Sequence, residues 1–327
     1  MKAVTWRRFG AAQDVLQVED LPTPTPADGE VLVRVAFSGA NPSDAKARSG
    51  TRPGVTKPPF EVIVPHSDGS GVIEAVGAGV DAARVGERVW IWNGQWQRPF
   101  GTCADYVALP ADQAVALPDC VSLEVGAVLG IPGLTAAQTV FGDGDITGQT
   151  VLVAGGGGAV GYLAVQLAVW GGGTVIATCG ARDVDRVRAA GATHVFDYAS
   201  PTLAEDILAV SGGGVDRAVE VELGPNLPLL AEVMKPLGTI AAYGSAKDMA
   251  PEMPFGPMLF KALKLDITLI YILPKAARDA AIARLHDALE AGALTLEAPN
   301  VFAPEEAGAA HDLVEAGGRK GAVLVGF

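Results

Sequence analysis

Residues 151–161 read VLVAGGGGAVG, and this stretch constrains the fold more than any other. Val151, Leu152 and Val153 make a short apolar run of the kind that forms a buried strand. Gly156, Gly158 and Gly161 then give the spacing G-x-G-x-x-G. The segment AVGYLAVQLAVW is apolar at nearly every position, which suits a helix packed under a sheet. Strand, glycine turn and helix, in that order, form the context in which this spacing holds a dinucleotide. Glycines permit the tight turn and let the backbone approach a pyrophosphate. The helix start offers free N–H groups and partial positive charge to the anion. The same glycines would also serve an ordinary strand-to-helix turn, where they only allow close packing.

The chain has 327 residues, enough for two domains with cores of their own. Hydrophobic residues make up 49% and charged residues 19%, the balance of a globular protein. A net charge of −13 argues against a nucleic-acid partner, which calls for a basic face. No apolar stretch reaches membrane-spanning length, so no membrane partner is expected. The opening residues, MKAVTWRRFG, lack the apolar core and cleavage site of a signal peptide and read as a first strand. Cys103, Cys120 and Cys179 are scattered and odd in number, which predicts no disulfide framework and a cytoplasmic location.

Three segments follow from the patterning. Residues 1–122 carry short alternating runs between Gly and Pro punctuation: VLVRVAF, GVIEAVG, RVWIW and DYVAL. Residues 123–293 alternate strands with helices. The predicted strands are TVLVA, TVIAT, HVFDY, RAVEV, TIAAYG and ITLIYI (267–272), which together predict a parallel sheet. Residues 294–327 return to mixed character, with a helix in PEEAGAAHDLVEAG and a final strand, AVLVGF.

Further motifs stand in order along nearly the whole chain. They are NPSDAKARSG (41–50), VPHSDGSGVIEAVGAGV (64–80), VGERVW (85–90), LGIPGLTA (129–136), AGATHVFDY (190–198) and GRKGAVLV (318–325). With the glycine turn, they resemble the medium-chain dehydrogenase/reductase superfamily, and within it the zinc-free quinone oxidoreductases related to ζ-crystallin. The resemblance implies an α/β fold. A GroES-like β-rich catalytic domain would span 1–122 and a doubly wound Rossmann domain 123–293. Residues 294–327 would return to the catalytic domain, and the active site would lie in the cleft.

Zinc-using members of the superfamily carry a catalytic Cys in a G-x-C-H-x-D-like segment, a His in a G-H-E-like segment, and a further Cys. Here the first segment reads Gly39-Ala40-Asn41-Pro42-Ser43-Asp44, with Asn41 at the Cys position. His66 lies near the place of the zinc His, but catalytic zinc takes three protein ligands. The four-Cys run of the structural zinc is missing. The expectation is therefore no metal, with His66 a hydrogen-bonded loop residue.

The resemblance places Asn41, Ser43 and Asp44 beside the nicotinamide, with Asn41 donating to a carbonyl oxygen and Asp44 anchoring the loop. N-P-S-D is also a good turn or helix start by itself. Many quinone reductases have tyrosines two and eight residues after this Asp; this chain has Lys46 and Arg52. Facing the cleft, they would favour an acceptor with an anionic group, and Lys46 could donate a proton. Facing solvent, they would be ordinary surface cations. Trp92, in the run Trp90–Trp96, is expected to wall the substrate side; a packed loop or subunit contact is the other reading.

The second Rossmann strand ends Ala177-Thr178-Cys179-Gly180-Ala181-Arg182, with no acid before Asp183. A carboxylate would repel a 2′-phosphate, whereas small residues and a cation accept it. NADPH is therefore the expected cofactor, with Arg182 at its phosphate, although Arg182 could also be a solvated residue at a helix start. The resemblance adds Tyr198 at the adenosine phosphate pocket and Arg319 and Lys320 closing over the cofactor. It also adds Thr135, Gly244 and Ser245, together with Ala159 and Val160 beside Gly156, Gly158 and Gly161. The expected activity is NADPH-dependent reduction of a quinone or enone by a homodimer. Anionic α,β-unsaturated substrates, or a non-enzymatic crystallin-like NADPH-binding role, are the alternatives.

Overall fold

A computed structural model describes every residue except Pro53. The chain divides into two compact units: Met1–Ile131 with Leu296–Phe327, and Pro132–Thr295. In chain order, the first unit contributes β1 (Lys2–Thr5), β2 (Gln17–Asp20), β3 (Glu30–Ala40), β4 (Asp68–Val76), β5 (Arg88–Ile91), β6 (Tyr106–Pro110) and β7 (Ala114–Ala116). The second contributes β8 (Thr150–Ala154), β9 (Thr174–Cys179), β10 (His194–Asp197), β11 (Val215–Glu220), β12 (Met234–Ala242) and β13 (Lys264–Ile267). The chain then returns to the first unit as β14 (Asn300–Phe302) and β15 (Val323–Gly326).

In the first unit, a seven-stranded sheet runs β14-β15-β3-β4-β5-β7, with β6 also paired to β3. Its long strand β3 turns Val31, Val33 and Val35 into a core with Ile73, Val89, Ile91, Val107 and Leu109. That period-two alternation is what a strand buried on one face requires. The second unit holds a six-stranded sheet in the order β10-β9-β8-β11-β12-β13, and every pair in it is parallel. Successive strands build outward from β8 to β10, then cross over to β11 and build the other way. Such a reversal is the topological switch point, where open α/β sheets bind ligands beyond the carboxyl ends of their strands.

One predicted strand differs. ITLIYI does not form a strand over 267–272: β13 ends at Ile267, and Ile270–Ile272 make a 3₁₀ turn. Among the described residues β13 pairs with β12 only, and the ladder stops at Ala242↔Ile267. Without a second neighbour the apolar run is not held extended, and Ile267 (72%) and Ile272 (66%) lie exposed.

Candidate active site

β8 delivers the chain into the glycine turn at the carboxyl edge of the parallel sheet. Gly155 adopts φ +70°, which an L side chain rarely does. A Cβ on Gly161 would stand 2.2 Å from the Gly155 carbonyl oxygen, so only glycine fits where the helix crosses the turn. The Ala159–Trp170 helix begins at Gly158 with no side-chain cap and no acid in its first turn. The N–H groups of Ala159, Val160 and Gly161 belong to that first turn, which has no carbonyl partners within the helix. Compact backbone and open donors are what a pyrophosphate needs.

Beyond β9, the Gly156 N–H donates to the Thr178 carbonyl (2.9 Å), tying the turn to the neighbouring strand. Arg182 projects outward (side chain 68% exposed) and Tyr198 is exposed beside Gly180. Arg186, which sequence reading passed over, lies under the turn, where its Nη1 donates to the Gly157 carbonyl (2.5 Å). Its guanidinium sits 4.4 Å from the Tyr162 ring centroid, a cation–π contact. Thr135 is buried in the Leu134–Phe141 helix. Gly244 accepts from the Leu223 N–H, and Ser245 Oγ accepts from the Gly224 N–H (2.9 Å). Arg319 donates to the Val314 carbonyl (3.3 Å), and exposed Lys320 holds Asn300 through its own carbonyl.

In the first unit, Asn41 caps the Pro42–Ser49 helix. Its N–H donates to Asp44 Oδ2 (2.8 Å), the acidic half of a capping box, while Pro42 takes the first helical position. Its amide Nδ2 donates to Asp68 Oδ2 (2.8 Å) and lies 3.5 Å from the Gly39 carbonyl. In this orientation Asn41 has its donors directed inward, whereas the sequence suggested a donor for substrate. Asp68, which sequence reading did not single out, is fully buried and also accepts the Ile131 N–H (2.8 Å). Burial holds the Asp68 carboxyl well above its usual range. Burial also pushes Asp44 up to about 7, against the Asn41 hydrogen bonds and the Arg52 charge. Arg52 folds back to donate to the Ser43 carbonyl (2.9 Å), and Lys46 is exposed. Trp92 is buried, and its indole N–H donates to the Asp112 carbonyl (3.0 Å), so it packs inside the unit.

His66 stands in the left-handed region (φ +74°), an uncommon place for any residue but glycine. Both ring nitrogens have partners: Nδ1 contacts Ser38 Oγ (2.8 Å) and Nε2 contacts His311 Nε2 (3.0 Å). His311 lies in the Ala307–Ala316 helix, more than two hundred residues away, so no local sequence signal pointed to it. Among the described residues, no three His, Cys, Asp or Glu side chains are grouped to hold a metal ion.

Comparison with known proteins agrees with this architecture. Residues 27–119 match the alcohol dehydrogenase GroES-like domain and residues 159–287 the zinc-binding dehydrogenase domain. Rat quinone oxidoreductase is 33% identical over 231 residues, 69% of this chain and 68% of that protein. The human synaptic vesicle membrane protein VAT-1 homolog is 32% identical over 243 residues, 73% of this chain and 59% of that protein. The chain thus spans little more than half the length of the VAT-1 homologues it matches. The structure of mycobacterial Rv1454c complexed with NADPH superposes with a TM-score of 0.85 at 28% identity, over 100% of both chains. Fold and domain matches together place the chain in the medium-chain dehydrogenase/reductase class. Within that class, the chain belongs to the quinone oxidoreductase family. Among the described residues, no helix is long and apolar enough to cross a membrane.

Proposed function

We propose that this protein is an NADPH-dependent reductase of a quinone or another conjugated carbonyl compound, working without zinc as a cytoplasmic homodimer. The observation that carries the reading is the uncapped start of the Ala159–Trp170 helix above a turn closed to any Cβ at Gly161. NADPH, when bound there, supplies the hydride. Ala159, Val160 and Gly161 hold the pyrophosphate, and Gly156 and Gly158 let it approach. Arg182 and Tyr198 flank the adenosine end, while Thr135, Gly244, Ser245, Arg319 and Lys320 complete the cofactor contacts. The NADPH complex of the similar mycobacterial protein supports this choice.

The acceptor is bound by the first unit. Asp68 fixes the Asn41 amide, and Asp44 fixes the loop around it. Lys46 and Arg52 supply positive charge to a carbonyl oxygen, and Lys46 is the proton donor. Asn41 stands where zinc enzymes carry a Cys, and both nitrogens of His66 are engaged, which supports metal-free chemistry. A conjugated acceptor spreads the incoming charge, so hydrogen bonds do the work of a Lewis acid. Because Lys46 lies in the Pro42–Ser49 helix and Arg52 binds back to the Ser43 carbonyl of the same helix, acceptors bearing a carboxylate are the second reading.

The test is a panel of quinones, neutral enones, α,β-unsaturated acids and simple ketones, assayed by NADPH oxidation. Turnover of the conjugated acceptors is expected. Turnover of simple ketones alone, or activity lost on chelation with stoichiometric zinc in the purified protein, would overturn the reading.

A further inference from the structure

β9 ends without an acid, yet the structure carries one back to the glycine turn. The 3₁₀ turn Ala181–Asp183 reverses the chain, with the Asp183 N–H donating to the Gly180 carbonyl (2.9 Å). The Asp183 side chain is then only 14% exposed, and its Oδ2 lies 2.9 Å from where a Cβ of Gly157 would stand. Arg182 Nε approaches Asp183 Oδ2 at 3.5 Å from the solvent side. Arg186 Nη1 lies 3.9 Å from Oδ1 on the inner side, itself 11% exposed and bound to the Gly157 carbonyl. Asp183 is therefore pinned between two arginines, against the middle of the turn.

From this arrangement we propose that Asp183 faces the adenosine ribose of the bound dinucleotide and, with Arg182, sets the selectivity between NADPH and NADH. The proposal rests on the dinucleotide site described above. Asp183 lies 22 residues beyond Gly161, close to the separation at which an acid accepts ribose hydroxyls in dinucleotide folds. It escapes a linear reading because it stands past the strand end, after an arginine. Its carboxylate binds the free hydroxyls of NADH and repels a 2′-phosphate. Arg186 is held by Gly157 and Tyr162 and offsets only part of that charge. Arg182 is exposed and can exchange its long contact with Asp183 for the phosphate. Acceptance of both cofactors follows, with NADPH preferred modestly.

Nicotinamide fluorescence titrations of NADPH and NADH into the wild type, Asp183→Asn, Asp183→Ser and Arg182→Gln test this without turnover. Thermal shifts with adenosine 2′,5′-bisphosphate and with adenosine 5′-diphosphate give a second readout. Both Asp183 variants should raise the ratio of NADPH to NADH affinity by roughly tenfold, the effect of one charge-assisted contact. Arg182→Gln should lower that ratio while leaving NADH binding nearly unchanged. If both cofactors bind and neither Asp183 variant moves the ratio by more than about twofold, the role of Asp183 is refuted and the dinucleotide site stands. If the wild type binds neither cofactor, the site itself is refuted and this inference with it.

Discussion

The Nε2 atoms of His66 and His311 lie 3.0 Å apart in the interior of the first unit, so the two rings share one hydrogen. The network assigns it. Thr102 Oγ1 donates to the Asp68 carbonyl (2.5 Å) and so accepts from Ser38 Oγ (2.8 Å). Ser38 then accepts from His66 Nδ1, leaving His66 Nε2 to accept from His311. Both rings are neutral: a proton added to His66 Nε2 would face the His311 N–H, and one added to His311 would go to Nδ1, which is buried without a hydrogen-bond partner.

Stability should therefore fall in mild acid. Burial holds His66 well below the usual imidazole range, and burial with the nearby Arg48 charge lowers His311 to about 4. Below the unfolded value of about 6.5, the unfolded chain takes up protons that the folded protein refuses. The contribution is present above pH 6.5 and lost as pH falls toward 4, on the order of 3 kcal/mol for His311. Thermal melts in half-unit steps from pH 8 to 4 should show this loss. His311→Gln, which keeps a donor for His66, should flatten it; an unchanged slope would refute the assignment.

Asp44 has the opposite sign. Its folded pKa of about 7 exceeds the ordinary aspartate value of 3.8, so the folded protein binds the extra proton between these values. Stability from this group is present below about pH 4 and lost as pH rises toward 7. Asp44→Asn keeps an oxygen for the Asn41 N–H and removes the buried charge. It should be more stable than the wild type at pH 8 by on the order of 1–3 kcal/mol, with the advantage gone near pH 4. Chemical denaturation at both pH values measures the difference.

Asp68→Ala should be strongly destabilising. It leaves the Asn41 amide and the Ile131 N–H without their acceptor, at roughly 1–3 kcal/mol for each buried group. Asp68→Asn should cost less, because the new amide can donate to a turned-over Asn41. Turning Asn41 should change kcat for the acceptor while KM for NADPH stays constant. Equal loss in both parameters would show that Asp68 serves only the fold.

Gly161→Ala should abolish tight cofactor binding. Its Cβ would meet the Gly155 carbonyl oxygen at 2.2 Å, a backbone atom that can yield only by moving the turn. The expected loss of NADPH affinity is about a hundredfold or more by fluorescence titration. Unchanged affinity would mean that the pyrophosphate binds elsewhere.

The outer edge of β13 should join two copies of this chain. Its backbone pairs on one side only, and Ile267, Leu269, Ile272 and Phe260 are exposed around it. An apolar open edge of this kind is a template for pairing, and a two-fold axis would close it as a continuous sheet. Sedimentation should show a dimer, and Ile267→Lys with Ile272→Lys should give a monomer. A wild-type monomer at micromolar concentration would refute the dimer.

The fold was largely legible because its signals are local. The run Val151–Val153, the glycines after it and the apolar helix announce a strand, turn and helix within one short window. ITLIYI failed because a strand needs a neighbour, which composition cannot supply. Asn41 and Asp44 stood out as a capping sequence, but the direction of the Asn41 amide depends on Asp68, across a loop. Asp183 was visible as a residue and hidden as a position, since a 3₁₀ turn decides where its carboxylate goes. His311 gave no signal, because its partner is brought to it only by the tertiary structure.

The pairing of β15 with β3 also orders events during synthesis. Val323 pairs with Ala40, yet the whole second unit is translated between them. The parallel sheet leaves the ribosome with all six of its strands and can fold at once. The earlier sheet must wait with the β3 edge at residues 37–40 bare until the last strand arrives. Contacts that distant form slowly, and a bare edge invites wrong pairing in the interval. The unit that is translated first is thus the one that finishes last.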